Sequence, residues 1–241
     1  MLRLAIVLLL LGAWDAQALA KEVLRGSGRA ATEERAVSGF HAIAISVPGR
    51  VTAVQDGSEK ATVSADDNVL PKLETVVDSG VLRIRFARDV EVRPRTPIAI
   101  TVHVRTLDSI ATAGRVSVEV PRLEGERLDA RLAGSGRIVL PDLRLRSLSI
   151  HASGHAHGLA IGRVDTFDLG MAGAGEINAA RLDAKRVSAN IAGSASVVAW
   201  VRDRLEARIT GSGTVRYFGD PAVRSHVAGS GRVERIGAAP P

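Results

Sequence analysis

The 241-residue chain contains no cysteine. That excludes disulfide cross-links, and it removes the residue through which bacterial lipoproteins are acylated, so stability has to come from packing. Aromatic side chains are scarce as well, at 3% of the sequence. So few rings cannot furnish the stacking platforms on which single-stranded nucleic acid is held. The core must instead be built from Val, Ile, Leu and Ala, which suits closely packed sheets better than a bundle of helices. Long apolar runs are missing too. The most extended is "LAIVLLLLGAW" at residues 4–14, behind Arg3, well short of the roughly 20 residues a membrane-spanning helix needs.

That short run has the pattern of a secretory signal peptide, because a positive residue precedes it and two small-x-small sites, "AQA" and "ALA", follow it. Residues 1–20 are read as the leader, with cleavage after Ala18 or Ala20. The chain is therefore expected to be exported, most simply to the periplasm, with the cell surface or exterior as the other destinations. The formal charge of +6 describes a mildly basic solvated surface rather than a dedicated polyanion site.

What the sequence has in quantity is glycine, 24 residues of it, much of it in one recurring phrase. "LAGSGRI" at 132–138 returns as "MAGAGEI", "IAGSASV", "ITGSGTV" and "VAGSGRV". Anchored on the last small residue of each copy, the repeats fall at Gly114, Gly136, Gly154, Gly175, Ala195, Gly213 and Gly231, with separations of 22, 18, 21, 20, 18 and 18 residues. This is the spacing of solenoid coils. Two residues after the anchors stand Val116, Ile138, Ala156, Ile177, Val197, Val215 and Val233. Four before them stand Ile110, Leu132, Ile150, Met171, Ile191, Ile209 and Val227. Apolar residues alternating with polar ones give a period of two, hence strands with one face inward. Recurrence at the same place in every coil predicts strands stacked in parallel register. The expected fold is all-β, a parallel β-helix or β-solenoid, right-handed because parallel crossovers almost always are. Glycines let the chain turn at the corners, and the serines beside them serve local hydrogen bonds rather than nucleophilic attack.

Ahead of the coils, short strands alternate with Pro-Gly, Asp-Gly and Ser-Gly turn signals. No linker composition interrupts the chain, so residues 21–237 are expected to form one domain and 238–241 a frayed tail. The order "ERAVSGFHAI", "GRVTAVQDG", "VSADDNVLPKLET", "DSGVLRIRF", "PIAITVHVRTLDSIATAG", then GSG-type repeats and "YFGDPAVRSHVAGSGRV" resembles the head GIN domain family over nearly the whole mature chain. The resemblance implies a β-helical fold in exported bacterial proteins of adhesin type, with no established enzymatic activity and no catalytic motif to carry over.

Three clusters merit attention as sites. Asp66, Asp67 and Asn68 form the densest acidic spot; carboxylates on β-helices serve polysaccharide cleavage or Ca²⁺, whereas the same residues in a turn serve Asx hydrogen bonds. His151, His155 and His157 bracket a glycine corner without a Cys, Asp or Glu to complete a metal set. Arg115 and Arg137 follow successive anchors, where an anionic glycan or lipopolysaccharide could meet two guanidinium forks. No cofactor, metal or nucleic-acid partner is expected. The leading expectation is a non-catalytic, exported structural or binding module of the bacterial envelope that recognises a glycan or another envelope component. The competing ones are a β-helical carbohydrate-active enzyme and a surface adhesin.

Overall fold

In a computed structural model of the protein the described residues are 22–88 and 90–240; the leader assigned to residues 1–20 lies outside them. The first nine strands are short: β1 (Glu22–Arg25), β2 (Ala30–Arg35), β3 (Ala42–Ile45), β4 (Gly49–Gln55), β5 (Lys60–Asp66), β6 (Leu73–Asp78), β7 (Val81–Phe86), β8 (Val90–Arg93) and β9 (Ala99–Val104). Their turns are where the sequence places them. Between β6 and β7 the "DSG" signal closes an antiparallel hairpin through Ser79 and Gly80, whose φ values of 51° and 77° match the twist of the flanking strands. Antiparallel pairs β2–β5 and β5–β9 and the parallel pair β4–β9 complete one side of this region.

From β10 (Ser109–Glu119) onward every pairing between strands is parallel. One half of β10 pairs with β3 and the other with β4, so a single strand spans two short ones. Next comes β11 (Leu123–Gly193), 71 residues of unbroken extended chain. Laid straight, it would run to about 230 Å at ~3.3 Å per residue. It bends instead, and later chain stacks on it: β12 (Ser196–Gly211) on β11, then β13 (Thr214–Phe218) and β14 (Ala222–Gly229) on β12, then β15 (Arg232–Gly237) on β13. The protein is all-β and sheet-rich, and among the described residues no helix is long and apolar enough to cross a membrane.

One glycine column makes the bends. Gly114, Gly134, Gly154, Gly173, Gly193, Gly211 and Gly229 all have φ between 94° and 128°, a region that residues with a Cβ resist. They also lie one upon another. A Cβ on Gly134 would stand 2.7 Å from the carbonyl oxygen of Gly114, and each later glycine of the column meets the one before it in the same way.

This column corrects the alignment read from the sequence. Gly114 pairs with Gly134, not with Gly136, which lies opposite Val116; Gly154 likewise belongs with Gly134 and Gly173. The corner is the first glycine of the phrase, because positive φ recurs there in every copy, whereas among the second positions only Gly175 shares it. An error of two residues preserves the parity of a strand. The inward columns are buried through Ile110, Leu132, Ile150, Met171, Ile191 and Ile209 and through Ile177, Val197 and Val215, but at the end of the stack Val227 is exposed and Val233 only half-buried, because among the described residues no further strand covers them.

Candidate functional site

Inward side chains fill the core, so what the coils offer to a ligand is decided by the outward ones. Just before the glycine corner, successive coils carry Ala113, Ala133, Ser153, Ala172, Ala192 and Thr210. Side chains this small leave a trough where other outward columns carry Arg or Glu. The trough is a groove of about 800 Å³, floored by the backbone and by the methyl groups of Ala133, Ala172 and Ala192, and reaching from Ala111 to Thr210. Six coils of chain border it, a length of about 24 Å at the ~4.8 Å spacing of neighbouring strands.

Three polar features mark its walls. His151 leans across Gly170, where a Cβ would stand 2.5 Å from Nδ1, while its Nε2 lies 3.0 Å from the Ser149 hydroxyl. Gly170 is thus the gap that lets His151 into the groove. Asn190 is exposed along the same face. Arg131 and Arg208 stand on the rim, each ion-paired within its own strand, to Asp129 and Glu206.

On the other side of the corner glycines lies a second cleft, of about 440 Å³, lined by Arg115, Arg137, His155, His157, Ser117 and Ser135. Arg115 and Arg137 are not equivalent positions: Arg115 pairs with Ser135, and Arg137 with Ser117. They sit diagonally across adjacent rows and still border the same space. The histidines divide between the two clefts, His151 in the groove and His155 and His157 beside the arginines.

The acidic spot is a staple. Asp66 is fully buried, and its carboxylate accepts hydrogen bonds from the backbone N–H groups of Gly28 (2.7 Å), Arg95 (2.9 Å) and Thr96 (3.1 Å). Burial works to raise its pKa, but those backbone donors outweigh burial and hold the carboxyl below its ordinary value. Asp67 accepts from the Ser27 hydroxyl at 2.5 Å and pairs with Arg29 at 2.9 Å, which lowers its pKa in the same sense, the hydroxyl contributing most. Asn68 accepts from the Ser27 N–H and donates to the Arg25 carbonyl. The three side chains tie the N-terminal segment and the loop at 95–96 to the end of β5.

Sequence inspection misses a third feature, a face of alternating charge around Trp200. Arg144 pairs with Glu124, Arg146 with Glu126, Lys185 with Asp165, and the buried Asp183 takes both Arg163 and Arg202. The Arg202 guanidinium also lies 5.9 Å from the Trp200 ring centroid. The signal is hidden because partners stand about twenty residues apart and become neighbours only when coils stack. Here acid and base neutralise one another, whereas the Arg115 cleft has bases alone.

A family model described as "Putative auto-transporter adhesin, head GIN domain" matches residues 39–221. No curated protein is detectably similar to the chain. Among solved structures, a "putative adhesin" from Bacteroides fragilis is 22% identical with a TM-score of 0.83, covering 88% of this chain and 100% of that one. A "putative lipid binding protein" from Parabacteroides distasonis is 25% identical with a TM-score of 0.73, over 89% and 100%. A "putative adhesin" from Parabacteroides merdae is 21% identical with a TM-score of 0.66, over 89% and 99%.

Proposed function

The chain belongs to the head GIN domain family, and from that premise we propose that it is an exported envelope module that recognises an amphiphile without chemical turnover. Residues 21–237 act as one right-handed parallel β-solenoid, in the periplasm, and the groove along its small-residue column takes an apolar chain. The observation that carries this reading is the groove itself: a trough about 24 Å long, floored by backbone and the methyl groups of Ala111, Ala133, Ala172 and Ala192 and edged by Arg131, His151 and Arg208. A long acyl chain fits such a trough better than a sugar does, because the methyl groups of Ala133, Ala172 and Ala192 offer sugar hydroxyls no hydrogen-bonding partner. The "putative lipid binding protein" of similar fold supports the same class of ligand. Recognition rather than catalysis is supported by how three of the carboxylates are used. Those of Asp66, Asp67 and Asp183 are held by hydrogen bonds or ion pairs of the protein's own making.

Calorimetric titration with dodecyl maltoside, below its micelle concentration, tests the proposal. Wild type is expected to bind. Ala172→Glu, which sets a charge in the trough at an exposed position, is expected to abolish binding while leaving circular dichroism and melting unchanged. Equal binding by the two proteins overturns the reading.

A further inference from the structure

The groove and the basic cleft are neighbours. Ala133 and Ser135 flank Gly134, Ser153 and His155 flank Gly154, and each pair puts one member in each cavity. Whatever apolar chain lies before the glycine column can extend its other end past the column and into the cleft. We infer that the cleft formed by Arg115, Arg137, His155 and His157 holds the phosphate headgroup of an amphiphile whose chain lies in the groove, and holds it more tightly as the histidines gain protons. The inference rests on the acyl-groove reading and adds the headgroup and its regulation.

Charge carries the first step. Arg50 stands opposite Ser117, in line with Arg137. Among the described residues none of Arg50, Arg115 and Arg137 has an ion-pair partner, although on the face around Trp200 the arginines are matched to acids. Arg115 and Arg137 border one cleft without an ion pair of their own, and a bound anion relieves their mutual repulsion. The donors also suit phosphate. Two guanidinium forks reach from Arg115 and Arg137, and the hydroxyls of Ser117 and Ser135 lie between them, enough for a tetrahedral oxyanion with several acceptor oxygens.

Protonation carries the second step. Imidazole is the side chain whose charge ordinarily changes between about pH 5 and 8, and two of them line this cleft. The charged groups on the same outward face are Arg50 on β4, Arg115 and Glu119 on β10, and Arg137 and Glu176 on β11. Glu119 lies two residues beyond Ser117, and Glu176 one coil beyond His157. Glu119 is at the edge and Glu176 flanks His157 on the side away from Arg137, so protonation still adds up to two positive charges beside the arginines. Affinity for a fixed anion therefore rises as pH falls.

The test uses lysophosphatidylglycerol, whose phosphodiester keeps one negative charge over this range, with dodecyl maltoside and inorganic phosphate as the other probes. Titrations run below micelle concentrations at pH 5.5 and 8. Wild type is expected to bind the lysolipid roughly tenfold or more tightly than the maltoside at pH 5.5, the worth of about one charge-assisted hydrogen bond, with a smaller margin at pH 8. The Arg115→Ala, Arg137→Ala double variant is expected to lose that margin and keep maltoside binding. His155→Gln with His157→Gln should keep a margin that no longer varies with pH. An unchanged margin in the arginine variant overturns the site, and persistent pH dependence in the histidine variant overturns the switch. Inorganic phosphate binding as tightly as the lysolipid makes this a site for the free anion and overturns the lipid source. Phosphate binding with neither amphiphile bound would instead defeat the groove reading and leave the anion site standing.

Discussion

Asp66 shows how much one side chain can hold. Its carboxylate satisfies backbone donors from two separate segments, at Gly28 and at Arg95–Thr96, and each of those donors is stranded if the acceptor goes. Asp66→Ala is expected to cost about 3 kcal/mol or more in chemical denaturation, whereas Asp78→Ala, at an exposed ion pair, should change little. The pH dependence has a definite sign. The Asp66 and Asp67 pKa values are lower folded than unfolded, so their contribution is complete above the unfolded value near 3.9 and is lost as pH falls through the folded one. Melting temperature measured from pH 6 downward should drop more steeply below about pH 4 in wild type than in Asp66→Asn. In the sequence, "ADDN" is conspicuous for its charge but silent about its partners, since Gly28 and Arg95 approach it only through pairing of distant strands.

The glycine column is the element on which the coils depend, and its two requirements can be separated. Gly114 and Gly134 share a positive φ, 94° and 105°. A Cβ on Gly114 meets nothing within 4 Å, while one on Gly134 meets the Gly114 carbonyl. Alanine at either position carries the strain of the backbone angle, about 1–2 kcal/mol or more. Gly134→Ala adds a backbone clash, so it should lower the melting temperature well beyond Gly114→Ala; equal losses would show that φ alone matters. The sequence reveals the repeat, the parity of its strands and the inward columns, because alternation is local. It does not reveal the register. Two small residues in each phrase compete as the corner, and only stacked carbonyls decide between Gly134 and Gly136. Arg115 and Arg137 were legible as outward cations, but their diagonal arrangement and the approach of His155 and His157 follow from that register.

At the scale of the molecule, order should decline toward the last coil. Strands within the stack are covered on both edges, whereas β14 pairs only with β12 among the described residues, is exposed along its length and leaves Val223 and Val227 open to solvent. Quasi-one-dimensional stacks open from their ends. Amides of 222–229 are expected to exchange with deuterium before those of the matching segments in β11 and β12; simultaneous exchange would mean that the stack opens as one unit. The all-β class was readable from composition and period alone. The groove was not, since Ala133, Ser153, Ala172 and Ala192 form one trough only once the strands that carry them lie side by side.

Whether this groove accommodates an extended apolar chain is decided by a chain-length series. Alkyl maltosides from eight to sixteen carbons, titrated below their micelle concentrations, should bind wild type more tightly by about 0.8 kcal/mol per added methylene across the whole series, because an extended sixteen-carbon chain is still shorter than the groove. Ala172→Glu should not show the rise. An affinity in wild type that does not change with chain length would contradict the claim.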